Sequence, residues 1–169
     1  NRNIGISINR LSTQGADKNS DQPCLSEDGE IISIMNGEIY NFSELRAYLE
    51  EKGVKFNGHS DSEVLLRLYI EEGKGMLSKL NGIFAFAIWD QLTQNLFLAR
   101  DNFGIKPLYY TSLNNNFFFT SELKAIMPLL KNTNKLDYES LQNYLTFLYC
   151  PGKGTPIQSV NKLLPGHAM

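Results

Sequence analysis

At 169 residues, with 42% hydrophobic and 20% charged side chains, the chain is long enough to bury a core of its own and is not a disordered segment. A net charge of −2, with lysine and arginine spread along the sequence, argues against a nucleic-acid surface. Two cysteines far apart, Cys24 and Cys150, argue against a disulfide framework or a cysteine-ligated zinc and fit a reducing cytoplasm, and the apolar runs at 83–89 and 117–119 are too short to span a bilayer.

The opening Asn1-Arg2-Asn3 has no initiator methionine, and the close at 165–169 has no polar tail. Both ends read as cuts, so the sequence is expected to be a stretch of a longer protein. Ile4-Gly5-Ile6-Ser7-Ile8 alternates apolar with small or polar residues and predicts a strand. Residues 11–22 predict a polar loop. The β-branched run 31–35 predicts a buried strand that ends in a turn at Asn36-Gly37, where both residues tolerate positive φ. Leu45, Tyr48 and Leu49 place a helix over 42–52 with Gly53 as its cap. Val64, Leu65, Leu68 and Tyr69 give a second helix over 61–72, which Asp61 can cap. A helical turn through Met76, Leu77 and Leu80 follows.

Strands are then expected at 83–89, 95–100, 107–110 and 116–120, with connections at 90–94 and Asn114-Asn115. Ser121 is expected to cap a helix over 122–130, and Asp137 to begin another through Phe147. The tail 151–165 carries proline and glycine at intervals and reads as irregular or linker-like. The pattern is an α+β domain with helices packed on layered antiparallel sheet.

Some stretches carry little meaning singly: Asn9-Arg10-Leu11-Ser12, Asn36 to Asn41, Ser60-Asp61-Ser62-Glu63-Val64, and the runs 82–90 and 98–110. Asn-Gly is common in turns, an aspartate at a helix start is usually a cap, and Phe84-Ala85-Phe86-Ala87-Ile88-Trp89-Asp90 is most simply a buried strand. In combination, Asn-Gly-Glu-Ile-Tyr-Asn, Phe-Ala-Phe-Ala-Ile-Trp-Asp, Leu-Ala-Arg-Asp-Asn-Phe-Gly-Ile-Lys-Pro-Leu-Tyr-Tyr and Leu-Pro-Gly-His make a specific set. In this order and spacing, over nearly the whole chain, they resemble the glutaminase domain of the asparagine synthetases, class II (N-terminal-nucleophile) glutamine amidotransferases. The resemblance implies an N-terminal-nucleophile hydrolase-like αββα sandwich of antiparallel sheets flanked by helices. It implies a glutaminase domain over 1–150 and a linker over 151–169 toward an absent ATP-dependent synthetase domain.

Members of that family hydrolyse the side-chain amide of glutamine with the thiol of an N-terminal cysteine, whose free α-amine is the base. By resemblance, the Asn36 amide and the Gly37 N–H stabilise the tetrahedral oxyanion, one such donor being worth roughly 3–4 kcal/mol. Arg10 matches the arginine that grips the substrate carboxylate, where a guanidinium can make two parallel hydrogen bonds. Asp61 matches the acceptor of the ammonium group, a role that can coexist with helix capping. Glu38 is a helper in that reading, although an acid in a turn is often just solvated. Arg100, Asp101 and Lys106 read as structural, for example an ion pair that fixes a turn. His59 and His167 have no companions that suggest a metal.

The nucleophile is the expected departure. The family begins with Cys-Gly well upstream of the position matching Arg10, whereas nine residues precede Arg10 here. An internal Cys24 or Cys150 has no free α-amine to serve as base, and both read as packing or bystander residues. The chain by itself is therefore expected to be inactive, to need no cofactor, and to bind no metal. ATP and Mg2+ are expected for the absent synthetase domain of a cytoplasmic parent that transfers nitrogen from glutamine to aspartate. The expected partners are glutamine and that domain, with no nucleic acid or membrane, and a homodimer is open. The alternatives are a non-catalytic domain of a related amide-forming enzyme, or a glutamine-binding module.

Overall fold

The apolar run before Trp89 organises the first of two compact units, residues 1–98; the second comprises residues 99–169. The computed structural model describes residues 4–9, 22–130 and 135–169. The first unit carries a sheet ordered β1-β2-β3-β4, from β1 (Cys24–Leu25), β2 (Ile31–Ile39), β3 (Gly82–Asp90) and β4 (Asn95–Arg100), the last two residues of β4 being counted with the second unit. Strands β2 and β3 run antiparallel along their whole length, from Ile31 opposite Asp90 to Ile39 opposite Gly82. Consecutive residues from Phe84 to Trp89 are all buried, so β3 is covered on both faces and its sequence does not alternate. Phe84 stacks on Phe86, Phe86 meets Phe97 edge-to-face, and Tyr69 stacks on Phe97 at 5.9 Å.

Two helices complete the unit. In α1 (Phe42–Glu51), Leu45 and Leu49 face inward. Its end is a Schellman turn: the Gly53 N–H donates to Glu50 O and the Val54 N–H to Leu49 O, with Gly53 at φ +86. Helix α2 (Asp61–Glu72) buries Val64, Leu65, Leu66 and Leu68. Its N-cap is Ser60, not Asp61: the Ser60 hydroxyl accepts from the Glu63 N–H. The buried Glu63 carboxylate in turn accepts the N–H groups of Asn57 and Gly58, 2.8 Å each, and so holds the loop that leads into the helix. A 3₁₀ segment, Gly73–Lys79, carries the buried Met76 and leads to β3.

The second unit carries a sheet ordered β6-β5-β7, from β5 (Tyr109–Leu113), β6 (Asn116–Thr120) and β7 (Asn161–Lys162), all antiparallel. Asn114 and Asn115 join β5 to β6 with φ of 50° and 62°, the doubly left-handed geometry that matches strand twist. Helix α3 (Leu123–Ile126) is short, and α4 (Tyr138–Phe147) is capped by the Asp137 carboxylate. Ile126, Leu130, Ile157 and Val160 form the core, with Tyr109, Leu113 and Leu123 packed against it.

The α+β class read from the sequence is the observed one, with differences in its parts. The expected helix over 122–130 is α3 followed by a 3₁₀ turn (Met127–Leu129), because Pro128 cannot sit inside an α-helix without losing a hydrogen bond and clashing one turn back. Its N-cap is Glu122, not Ser121. Residues 4–9 keep an alternating burial pattern yet join no sheet among the described residues. The expected strand at 107–110 begins later, at Tyr109. The segment after residue 150 has mostly irregular backbone but contributes β7 and the buried Thr155, Ile157, Val160 and Leu163. The polar loop expected at 11–22 lies outside the described residues except for Gln22.

Candidate active site

Asn36 and Gly37 do not form a turn; they lie inside β2, which continues to Ile39. The chemistry that suggested a turn serves a different purpose. Gly37 sits at φ +136, and a Cβ there would stand 2.0 Å from the carbonyl oxygen of Ile83 on β3. Across the ladder, a Cβ on Gly82 would stand 2.3 Å from the Glu38 carbonyl oxygen. Two glycines therefore let the end of β2 and the start of β3 pass closer than side chains allow. Asn36, Gly37 and Glu38 are exposed, between the buried Met35 and Ile39. Residues two apart project from one face of a strand, so Asn36 and Glu38 share a face.

The outer edge of β2 is closed on either side of this segment. At Met35, the Gln22 side chain accepts the N–H at 2.6 Å and donates to the carbonyl at 3.0 Å. At Ile39, the Asp61 carboxylate accepts the N–H at 3.1 Å. N–H groups alternate in direction along a strand, and the alternation that turns Met35 and Ile39 away from β3 turns Gly37 the same way. That alternation puts the Gly37 N–H on the same edge as those two, next to the exposed Asn36 and two residues before the Ile39 N–H that the Asp61 carboxylate takes. Such a set can hold a developing negative oxygen and, beside it, a cationic group.

Asn41, at the far end of the same sequence run, is structural. Its amide donates to Lys79 O at 2.9 Å and accepts from the Asn81 N–H at 3.0 Å, which fixes the entry to β3. Gln22 is the residue that sequence reading missed, and Asn41 and Gly82 lay in stretches it singled out without their individual roles. A glycine directly before the apolar run was the visible hint for Gly82; for the other two the signal is tertiary. Arg10 lies outside the described residues, as do Leu11 and Ser12.

The second signature run builds a scaffold in the second unit. The Arg100 guanidinium donates to three backbone carbonyls: Lys106 at 2.6 Å, Leu163 at 2.6 Å and Gly104 at 2.5 Å. Burial pushes its pKa down, opposed by the nearby Asp101 and Tyr109. The Asp101 carboxylate accepts the N–H groups of Phe103, Ile105 and Lys106. The Leu-Pro-Gly-His turn docks here, with Gly166 N–H on Asp101 O and Arg100 N–H on His167 O. Gly104, at φ +63, has no room for a Cβ, which would lie 2.7 Å from Pro165 Cγ. The expected structural role is met by backbone capture. His59 is exposed, and the His167 ring lies 2.8 Å from its own turn's Pro165 O.

Cys24 lies in β1, and the Cys150 thiol lies 3.4 Å from the Ser140 carbonyl. Neither forms a disulfide. Among the described residues no cluster of three or more His, Cys, Asp or Glu side chains is placed to hold a metal ion. No helix among them is long and apolar enough to cross a membrane.

Comparison with known proteins follows the same direction. The family model of a glutamine amidotransferase domain matches residues 1–169. Glutamine-hydrolyzing asparagine synthetase 1 of Bacillus subtilis strain 168 is 45% identical over 163 residues, 96% of this chain and 26% of that protein. A putative glutamine-hydrolyzing asparagine synthetase 1 of Methanocaldococcus jannaschii is 44% identical over 130 residues, 77% of this chain and 23% of that protein. The chain thus spans about a quarter of the length of these curated relatives. Among solved structures, the glutamine phosphoribosylpyrophosphate amidotransferase of B. subtilis, complexed with ADP and GMP, matches with a TM-score of 0.58 and 27% identity, covering 67% of this chain and 27% of that one.

Proposed function

The chain belongs to the glutamine amidotransferase domain family, and from that membership we propose that it carries the substrate-holding half of a glutaminase site. In this reading the Asn36 amide and the Gly37 N–H receive the oxyanion that forms when a thiolate attacks the glutamine side-chain amide. Asp61 receives the α-ammonium with help from Glu38, and Arg10 grips the α-carboxylate. The attacking thiol and its α-amine base belong to an N-terminal cysteine upstream of Asn1. Neither Cys24 nor Cys150 supplies them, so the 169 residues alone do not hydrolyse glutamine.

The parent protein, in the cytoplasm, releases ammonia from glutamine, leaving glutamate, and passes it to an ATP-activated aspartate held by a following domain, where ATP and Mg2+ bind. The glutaminase domain is taken as residues 1–150.

The carrying observation is Gly37. Its positive φ, the lack of space for any side chain, and the closure of the strand edge on both sides of it suit a backbone N–H reserved for a ligand oxygen. In the full-length protein, Asn36→Ala is expected to lower kcat for glutamine-dependent ammonia release by about 10²–10³-fold. Synthesis from added ammonia, which bypasses the site, stays intact. An unchanged kcat in Asn36→Ala refutes the assignment, as does glutamine hydrolysis by the 169 residues alone that survives replacement of both cysteines.

A further inference from the structure

The backbone ladder between β1 and β2 pairs Cys24 with Ser33 and Leu25 with Ile32. Two residues beyond Ser33, at Met35, the partner on that edge is a side chain. The Gln22 amide reproduces a peptide group, with Oε1 taking the Met35 N–H at 2.6 Å and Nε2 donating to the Met35 carbonyl at 3.0 Å. A primary amide has a second N–H, and here Nε2 also lies 3.1 Å from the Ser62 hydroxyl oxygen. Ser62 is 4% exposed, and its hydroxyl donates to Asp61 Oδ1 at 3.4 Å. The other oxygen of that carboxylate takes the Ile39 N–H.

These bonds form a closed circuit: Met35, Gln22, Ser62, Asp61, Ile39. It spans Asn36, Gly37 and Glu38 and fastens both ends of that segment to the first turn of α2. We infer that Gln22 is a positioning residue for glutamine hydrolysis, setting the distance between the oxyanion donors on β2 and the carboxylate at the start of α2. The inference rests on the site assignment proposed above.

The physical argument is one of aim. Oxyanion donors act by being fixed before charge develops, and small misplacements of reacting groups are costly. Without Gln22, the Met35 edge opens to water and the link from β2 through Ser62 to Asp61 is lost. Asn36 and Asp61 then keep their chemistry and lose their mutual register.

The test uses the full-length protein carrying Gln22→Met, which keeps side-chain length and removes every hydrogen bond, and Ser62→Ala, which cuts only the link to α2. Glutamine-dependent ammonia release, synthesis from added ammonia and the thermal midpoint are measured for each. Gln22→Met is expected to lower kcat for glutamine roughly 10- to 100-fold, with synthesis from ammonia retained. Ser62→Ala is expected to lower kcat less and to raise KM, because it loosens the Asp61 end. A Gln22→Met protein with normal kcat and a lowered thermal midpoint overturns the inference, since that is the signature of a purely structural residue. If Gln22→Met fails to fold, Ser62→Ala decides, and unchanged kcat and KM there overturn it. Asn36→Ala separates the two layers. If it abolishes turnover while Gln22→Met does not, only the positioning role fails; if it too is silent, the site assignment falls.

Discussion

The crossing of β2 and β3 at Gly37 and Gly82 can be tested by alanine substitution, with a third glycine as reference. Gly29 has φ +74 and nothing within 4 Å of an added Cβ, so Gly29→Ala introduces backbone strain alone, about 1–2 kcal/mol. For Gly82 no left-handed φ is involved, but the Cβ would lie 2.3 Å from Glu38 O and 2.9 Å from Ile39 Cα, so Gly82→Ala introduces a clash with backbone, about 1–3 kcal/mol. Gly37→Ala combines φ +136 with a 2.0 Å approach to Ile83 O and a 2.8 Å approach to Phe84 Cα, and the two effects together come to about 2–5 kcal/mol. Backbone atoms cannot rotate away as a side-chain tip can, so the ladder itself must open. The double variant Gly37→Ala/Gly82→Ala should cost less than the sum of the single changes, because one opening relieves both. Urea-unfolding midpoints measure all of these. A Gly37→Ala protein no less stable than Gly29→Ala refutes the close crossing, and strict additivity of Gly37 and Gly82 refutes their shared origin.

Arg100→Lys removes the fork that spans three carbonyls; with about two of them left unsatisfied it should cost about 2–5 kcal/mol, and urea unfolding within about 0.5 kcal/mol of the parent would contradict the scaffold role. Glu72 accepts from the Lys79 ammonium and the Tyr48 hydroxyl, which lower its pKa from 4.5 to about 2. A carboxylate depressed in the folded state stabilises fully above its unfolded value and loses that contribution as pH falls through the folded one. The stability gap between wild type and Glu72→Gln should therefore be flat through neutral pH, shrink as pH falls from 4.5 to about 2, shrink again at alkaline pH as Lys79 loses the proton that Glu72 helps it hold, and weaken in high salt. A gap that widens on acidification would contradict the pairing.

Elements whose signals are local were legible. Helix α2 has the predicted bounds because its apolar stripe and flanking residues agree, and Asn114-Asn115 marked a hairpin because only a few residue types take two positive φ values in succession. Asn36-Gly37 misled because a turn and a strand that admits a close neighbour need the same freedom at glycine, and only Gly82, some forty-five residues later, distinguishes them. The expected helix over 122–130 ran too long because its apolar spacing was followed past Pro128, where the α-helix gives way to a 3₁₀ turn. Gln22 was not readable: in a polar stretch it looks solvated, and its partners, Met35 and Ser62, are 13 and 40 residues away. At Asp61 the sequence offered both capping and ligand binding. Ser60 does the capping, which leaves the carboxylate for Ile39 N–H.

The Arg100 fork has a consequence for the order of events during synthesis. Its run looks like a self-contained turn, yet one of the three carbonyls belongs to Leu163, 63 residues downstream, and the adjoining bonds involve Gly166 and His167. A ribosome delivers residues in sequence, so the guanidinium waits, only partly satisfied, until nearly the whole second unit has emerged. Long-range closure of this kind is slow compared with helix formation. Until it occurs, α3 and α4 can form while the turn at 101–106 remains unlatched, and a chain ending before Leu163 would leave it so permanently.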